Sequence, residues 1–289
     1  MTAFNSTSTQ GIQYTMAHRD IRLLVLDIDG TLAGESNQIR PVVKCAIQAA
    51  QAKGIQVAIA TGRMYRSALR FYHDVGSTLP LLAYQGALIK DPHTSKLHRH
   101  WAVSKTVATE LLEHFEQLEL NHLLSIHFYI DDQLYVREIT SETREYAERS
   151  GVEPIVVGDL RRALIQEPTK VLALSDNIDL IDHVLSSLRQ QYTPAELYFT
   201  KSIATFFEAA NPLVNKGVAV QYLAETMLGL QSSQVMTVGD NFNDVEMLEY
   251  GGIGVAMGNA PAEVKAKAQW VAPDVMNDGV AGAIEEFLL

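Results

Sequence analysis

The sequence predicts an α/β protein: a Rossmann-like, doubly wound parallel sheet core with an inserted α+β domain. Three observations lead there. Short apolar runs alternate with helix-period segments at both ends of the chain. Between about residues 86 and 210 the texture changes to longer helices and more polar, alternating strands. Carboxylates or hydroxyls stand directly after several of the apolar runs in the outer segments.

Residues 1–19 are rich in Ser, Thr, Gln and Asn without clear periodicity, which predicts a flexible extension. Residues 21–26 form a continuous apolar run, broken only by Arg22, and read as a strand buried on both faces. A helix over 41–53, closed by Gly54, leads to a strand at 55–60. A second helix over about 64–75 leads to a third strand at 79–83, so this part of the chain reads as consecutive right-handed βαβ units. The same pattern resumes with a helix at 216–228 and strands at 235–238, 252–255 and 270–272. Residues 20–85 and 211–289 are therefore assigned to one core, and 86–210 to the insertion. Within the insertion, 125–130 and 133–136 read as a hairpin through Asp131-Asp132. Further strands are predicted at 170–175, 197–200 and 205–208, with helices near 105–118, 141–150 and 178–191.

With 289 residues and 47% hydrophobic composition the chain is long enough for a well-buried core and two domains. No stretch approaches the roughly 18–20 apolar residues of a membrane span, and the first twenty residues lack the apolar centre of a secretory signal. The expectation is a cytoplasmic protein with no membrane partner. The lone Cys45 has no intramolecular disulfide partner, in keeping with a reducing compartment. A net charge of −11 without a Lys/Arg-rich stripe argues against nucleic acid. It also means that an anionic ligand needs locally positive ground. Nothing in the sequence fixes the oligomeric state.

Asp27-Ile28-Asp29-Gly30-Thr31 follows the first strand, placing two carboxylates where ligand crevices form in such sheets. The pair suits a divalent cation, and a surface turn is the competing reading. Thr61-Gly62-Arg63 follows the second strand and opens a helix, so the Thr61 hydroxyl and free amides there suit a phosphate oxygen or a simple N-cap. Lys216 begins a helix, where a cation opposes the macrodipole by about 0.3–1 kcal/mol; it either points into water or holds an anion. Gly239-Asp240-Asn241-Phe242-Asn243-Asp244 puts more carboxylate after a strand, or forms a turn with an Asp cap.

Together these four segments resemble the haloacid dehalogenase-like (HAD) phosphohydrolase superfamily, and specifically its Cof-type branch with an α+β cap. Asp27 to Thr31 is similar to the first motif, Thr61 to the second, Lys216 to the third, and Asp240 with Asp244 to the fourth. Ala256-Met257-Gly258-Asn259-Ala260 also resembles a stretch common in the branch, whereas Gln85-Gly86-Ala87 stands where the branch usually has Asn-Gly-Ala.

The resemblance implies a phosphatase acting on a small phosphorylated metabolite. Asp27 would be the nucleophile, and Asp29 the acid and base, with a carboxyl pKa raised by its surroundings. Lys216 would neutralise charge. Thr61, Gly62 and Asn243, with Arg63 as a further candidate, would hold the phosphate. Mg²⁺ would be bound by Asp27, the Asp29 carbonyl, Asp240 and Asp244. Arg63 could instead pair with an acidic residue. A phosphosugar mutase, a phosphoryl receiver and a non-hydrolytic binding protein are the alternatives.

Overall fold

The computed structural model describes residues 20–289 apart from 118, 119, 121 and 202, so the extension predicted at 1–19 lies outside the described residues. Strand β1 (Leu23–Leu26) is buried along its whole length. Helix α1 (Pro41–Ala52) starts with Pro41 in its first turn, where a missing N–H costs nothing, and buries Val43, Ala46, Ile47 and Ala50. Strand β2 (Gln56–Ile59), helix α2 (Tyr65–Val75) and strand β3 (Leu81–Ala83) follow.

Next come β4 (Leu88–Lys90), β5 (Leu97–His100) and α3 (Lys105–Phe115), the last capped by the Ser104 hydroxyl. The hairpin β6 (Ser125–Ile130) and β7 (Gln133–Val136) leads to α4 (Ser141–Ser150) and β8 (Pro154–Val156). Strand β9 (Lys170–Leu174), α5 (Ile178–Gln191), β10 (Tyr198–Thr200) and β11 (Phe206–Ala210) complete the insertion. The chain returns through α6 (Lys216–Gln221), which runs into π-helical turns at Tyr222–Met227. It ends with β12 (Val235–Gly239), α7 (Val245–Tyr250), β13 (Ile253–Ala256), α8 (Ala262–Lys265), β14 (Trp270–Val271) and α9 (Gly279–Phe287).

The core sheet runs β14-β13-β12-β1-β2, and every pairing in it is parallel. Side chains alternate across it. Leu24, Leu26, Val57, Ile59, Met236 and Val238 pack with α1, α2 and α9, while Leu23, Val25, Ala58 and Val235 pack with α6 on the other face. The sheet is thus covered on both sides, as the apolar runs require.

The second sheet runs β10-β11-β9-β6-β7-β8. One face, including Ile126, Phe128, Val171 and Phe207, packs on α3 and α5. The other face, carrying Tyr129, Leu172 and Leu174, joins the core cluster and roofs the carboxyl edge of the first sheet.

One expectation is corrected here. The strand at 81–83 does not extend the core sheet as a full parallel neighbour: it touches β2 through a single parallel bridge, Ala60 to Leu82, and pairs antiparallel with β4, which pairs with β5. Tyr84, Gln85 and Gly86, all at positive φ, turn the chain back on itself right after the α2 crossover has delivered β3, so β3 stops at this bridge and pairs with β4 instead.

Candidate active site

The register of the core sheet brings three predicted segments to one level. Leu26 pairs with Val238 on one side and Ile59 on the other, so Asp27, Thr61 and Asp240 emerge together at the carboxyl edge. The Asp27 N–H still donates to Val238 O at 3.1 Å, so the last ladder bond fixes where its side chain begins. Gly30 sits at φ +80°, and a Cβ there would collide with the Asp240 carboxylate. Asp240 is held further by the Thr31 hydroxyl at 3.2 Å and by Asn259 Nδ2 at 3.2 Å, and Asn259 also donates to Gly30 O at 2.9 Å.

Asp27, Asp240 and Asp244 each offer a carboxylate oxygen, and the three oxygens lie within 4.8 Å of one another. Lys216, fully buried, donates from Nζ to Asp27 Oδ1 and to Asp244 Oδ1, both at 2.5 Å. Its ammonium therefore faces anions rather than water. Asp244 is fixed from behind, its Oδ2 accepting the N–H groups of Asp240 at 2.9 Å and Asn241 at 3.0 Å. Burial pushes Asp27 up to about 7, with Lys216 pulling down and Asp244 and Asp29 pushing up. Burial, with Asp244 and Asp27 adding to it, pushes Asp240 up to about 8. Burial disfavours the Lys216 charge, but Asp244 and Asp27 outweigh it and hold the lysine charged. With all three carboxylates ionised, one cation among them leaves an excess of negative charge, and an all-oxygen donor set of this kind fits Mg²⁺.

The Thr61-Gly62-Arg63 turn lies beside this group. Thr61 Oγ1 accepts the Arg63 N–H at 3.1 Å, so it caps the turn locally. A Cβ on Gly62 would stand 2.5 Å from Gln85 Nε2, so the Gln85 amide fills the space that glycine leaves. Asn243 Nδ2 donates to Gln85 Oε1 at 3.0 Å, tying the fourth segment to the same spot. Gln85, singled out as the departure from the Asn-Gly-Ala pattern, thus sits under the turn.

Asp29 stands apart from the acidic group. Arg63 grips it with Nε to Oδ2 at 2.7 Å and Nη2 to Oδ1 at 2.6 Å, and Arg149 Nη2 adds a bond to Oδ1 at 3.1 Å. Burial pushes its pKa up, but the two guanidiniums outweigh burial and hold the carboxyl below its ordinary value. The expected raised pKa is therefore corrected for this arrangement. Arg63, a candidate phosphate ligand, spends its side chain on Asp29 and, at 2.7 Å, on Asn37 Oδ1.

A cleft of about 210 Å³ opens over Asp27, Asp29, Gly62, Arg63, Asn241 and Asn243. Its roof comes from the insertion and includes Tyr146, Arg149, Lys170 and Phe206. None of these was marked in the sequence: Arg149 lies 120 residues from the carboxylate it touches, and Lys170 lies 108 from the Gly62 carbonyl it reaches.

Acidic and phosphate-seeking groups at the carboxyl edge of a parallel sheet, roofed by an α+β unit, define an enzyme of phosphate chemistry. The chain belongs to the haloacid dehalogenase-like hydrolase family, whose model matches residues 24–284. It is 29% identical over 276 residues to the 5-amino-6-(5-phospho-D-ribitylamino)uracil phosphatase YitU of Bacillus subtilis, covering 92% of this chain and 97% of that one. It is 27% identical over 286 residues to the pyridoxal phosphate phosphatase YbhA of Escherichia coli, covering 93% and 99%. Among solved structures, TM0651 from Thermotoga maritima superposes with a TM-score of 0.78 at 28% identity, over 92% of this chain and 97% of that one. Among the described residues, no helix is long and apolar enough to cross a membrane.

Proposed function

We propose that the protein is a cytoplasmic, Mg²⁺-dependent phosphatase that hydrolyses small phosphorylated metabolites, sugar phosphates or similar phosphomonoesters, through an aspartyl-phosphate on Asp27. One observation carries the reading: Asp27, at the carboxyl end of β1, is held by Lys216 at 2.5 Å inside a group of three carboxylates.

Residues 20–85 and 211–289 form the catalytic core in this reading, and 86–210 the cap. Asp27, Asp240, Asp244 and the Asp29 carbonyl would hold the cation, which supplies positive charge against the transferring phosphoryl group. An Asp27 carboxylate oxygen attacks phosphorus, the ester oxygen leaves, and the phosphoryl group stays on Asp27. Asp29 gives the leaving oxygen a proton, then takes one from the water that attacks the same phosphorus and releases phosphate. In its arginine-paired, ionised form Asp29 is ready for the second of these transfers. The first requires a looser grip, and Arg149, with its side chain half exposed on the cap, is the partner free to move. Lys216 offsets the negative charge on Asp27 and on the phosphoryl oxygens, while Thr61, Gly62 and Asn243 position those oxygens.

Phosphate release from a panel of sugar, pyridoxal and nucleotide-type monoesters, ranked by kcat/KM, tests the proposal. Release that depends on Mg²⁺ and stops reversibly with EDTA is expected. No release from any ester, or release indifferent to chelation, contradicts it.

A further inference from the structure

We propose that Lys170, on one of the two middle strands of the cap sheet, is a positioning residue for the phosphate-binding turn: the seated cap holds the Gly62 carbonyl, and with it the glycine's backbone torsions, so that the Gly62 N–H stays aimed at a phosphate oxygen. This rests on the phosphatase reading. Lys170 is buried, and its Nζ donates to Glu208 Oε2 at 2.9 Å and to Gly62 O at 3.2 Å, with the Tyr129 ring 4.9 Å away.

The rest of the turn is held from within the core. Thr61 N–H donates to Leu82 O at 2.9 Å, Thr61 O accepts from Gln85 N–H at 2.8 Å, and Arg63 O accepts from Tyr84 N–H at 2.9 Å. Arg63 N–H donates to the Thr61 hydroxyl. The Gly62 carbonyl alone is held from the cap, and among the described residues its N–H has no protein partner. Glycine is the residue least able to hold its own conformation, and Gln85 Nε2 forbids any larger one here. Gly62 O belongs to the Gly62–Arg63 peptide and Gly62 N–H to the Thr61–Gly62 peptide, so Lys170 pins the carbonyl side of the glycine while Gln85 N–H, through Thr61 O, pins the other, and together they fix its torsions.

The chemistry of the pair points the same way. A buried Lys–Glu pair is weak as a stabilising device, because the desolvation of both charges offsets their attraction, and two apolar side chains would fill the space as well. The ammonium does what an apolar group cannot: it spends one N–H on Glu208 and another on a carbonyl of the opposite domain. Cap seating and phosphate binding are thereby coupled through one hydrogen bond.

The test compares inorganic phosphate binding, by calorimetry on the Mg²⁺-loaded full chain, between wild type and Lys170→Met/Glu208→Leu. The double change avoids stranding a buried Glu208, and its melting temperature is measured alongside. Phosphate affinity at least about tenfold weaker in a folded double variant, with KM rising more than kcat falls, is expected. Affinity within about twofold of wild type, or no phosphate binding by the wild type, overturns the inference. If the double variant does not fold, Lys170→Met/Glu208→Gln serves in its place, with the same two outcomes. A wild type that binds phosphate yet hydrolyses no ester sinks the phosphatase reading instead and leaves the binding comparison to decide this one.

Discussion

Arg63 holds Asp29 in a two-point fork, Nε to Oδ2 at 2.7 Å and Nη2 to Oδ1 at 2.6 Å, across 34 residues of sequence. Bidentate charge-assisted bonds of this kind are strong and fix geometry as well as charge. With burial opposing it, the fork and Arg149 still keep Asp29 below its ordinary carboxyl value. Because Asp29 must carry the proton it gives to the leaving oxygen, the alkaline limb of kcat/KM against pH should therefore lie low in the wild type. In Arg63→Met it should move to higher pH, because burial then acts with less opposition; an unmoved limb rules out Arg63 as the group that sets Asp29.

Lys216 is the only ammonium or guanidinium paired with the acidic group among the described residues, and it touches two of the three carboxylates. Removing one partner of a buried pair leaves uncompensated charge, at about 3–5 kcal/mol. Lys216→Met should lower the denaturant midpoint accordingly and cut kcat by at least about a hundredfold. Near-wild-type turnover in that variant removes Lys216 from the chemistry.

Asp27 and Asp240 are pushed up to about 7 and about 8 from an ordinary value of 3.8. Across that window the folded chain binds protons that the unfolded chain has released, so stability of the metal-free protein should fall as pH rises from about 4 to about 8. A cation binding the ionised carboxylates reverses this. Added Mg²⁺ should raise the melting temperature more at pH 8 than at pH 6, and Asp240→Asn should erase the difference. Equal Mg²⁺ effects at both pH values would contradict the assigned ligands.

His127 is fully buried in the cap beside Thr143, its Nε2 2.9 Å from the Thr143 hydroxyl, and burial, with the Lys170 charge adding, lowers its pKa to about 3. Between pH 6.5 and 3 the unfolded chain takes a proton that the folded ring refuses, so this residue costs stability as pH falls. From pH 7 to pH 5 the cost is about 2 kcal/mol. Denaturation midpoints should show a shallower acid loss in His127→Phe than in wild type; parallel curves would show that His127 carries none of it.

The parts of this molecule that were legible in the sequence are those written locally. Helices α4 and α5 begin where Thr140 and Asn177 cap them, and the Asp131-Asp132 turn closes the β6–β7 hairpin with both residues at positive φ. Asp27, Thr61 and Asp240 were legible because each sits one or two residues past an apolar strand. The return at residues 84–86 was not, since Tyr84 and Gln85 carry no signal for the left-handed backbone they adopt. Nor were Arg149 and Lys170. Their roles depend on how the cap sheet lies over the core, which no local spacing encodes.

The central claim is the covalent step at Asp27. Acid-quenching the enzyme during turnover and reducing with borohydride converts an aspartyl-phosphate to homoserine, and peptide mass spectrometry locates it. Homoserine at position 27, dependent on substrate and absent in Asp27→Asn, is the predicted result. Steady turnover with position 27 unmodified, or homoserine at another aspartate, would contradict the account.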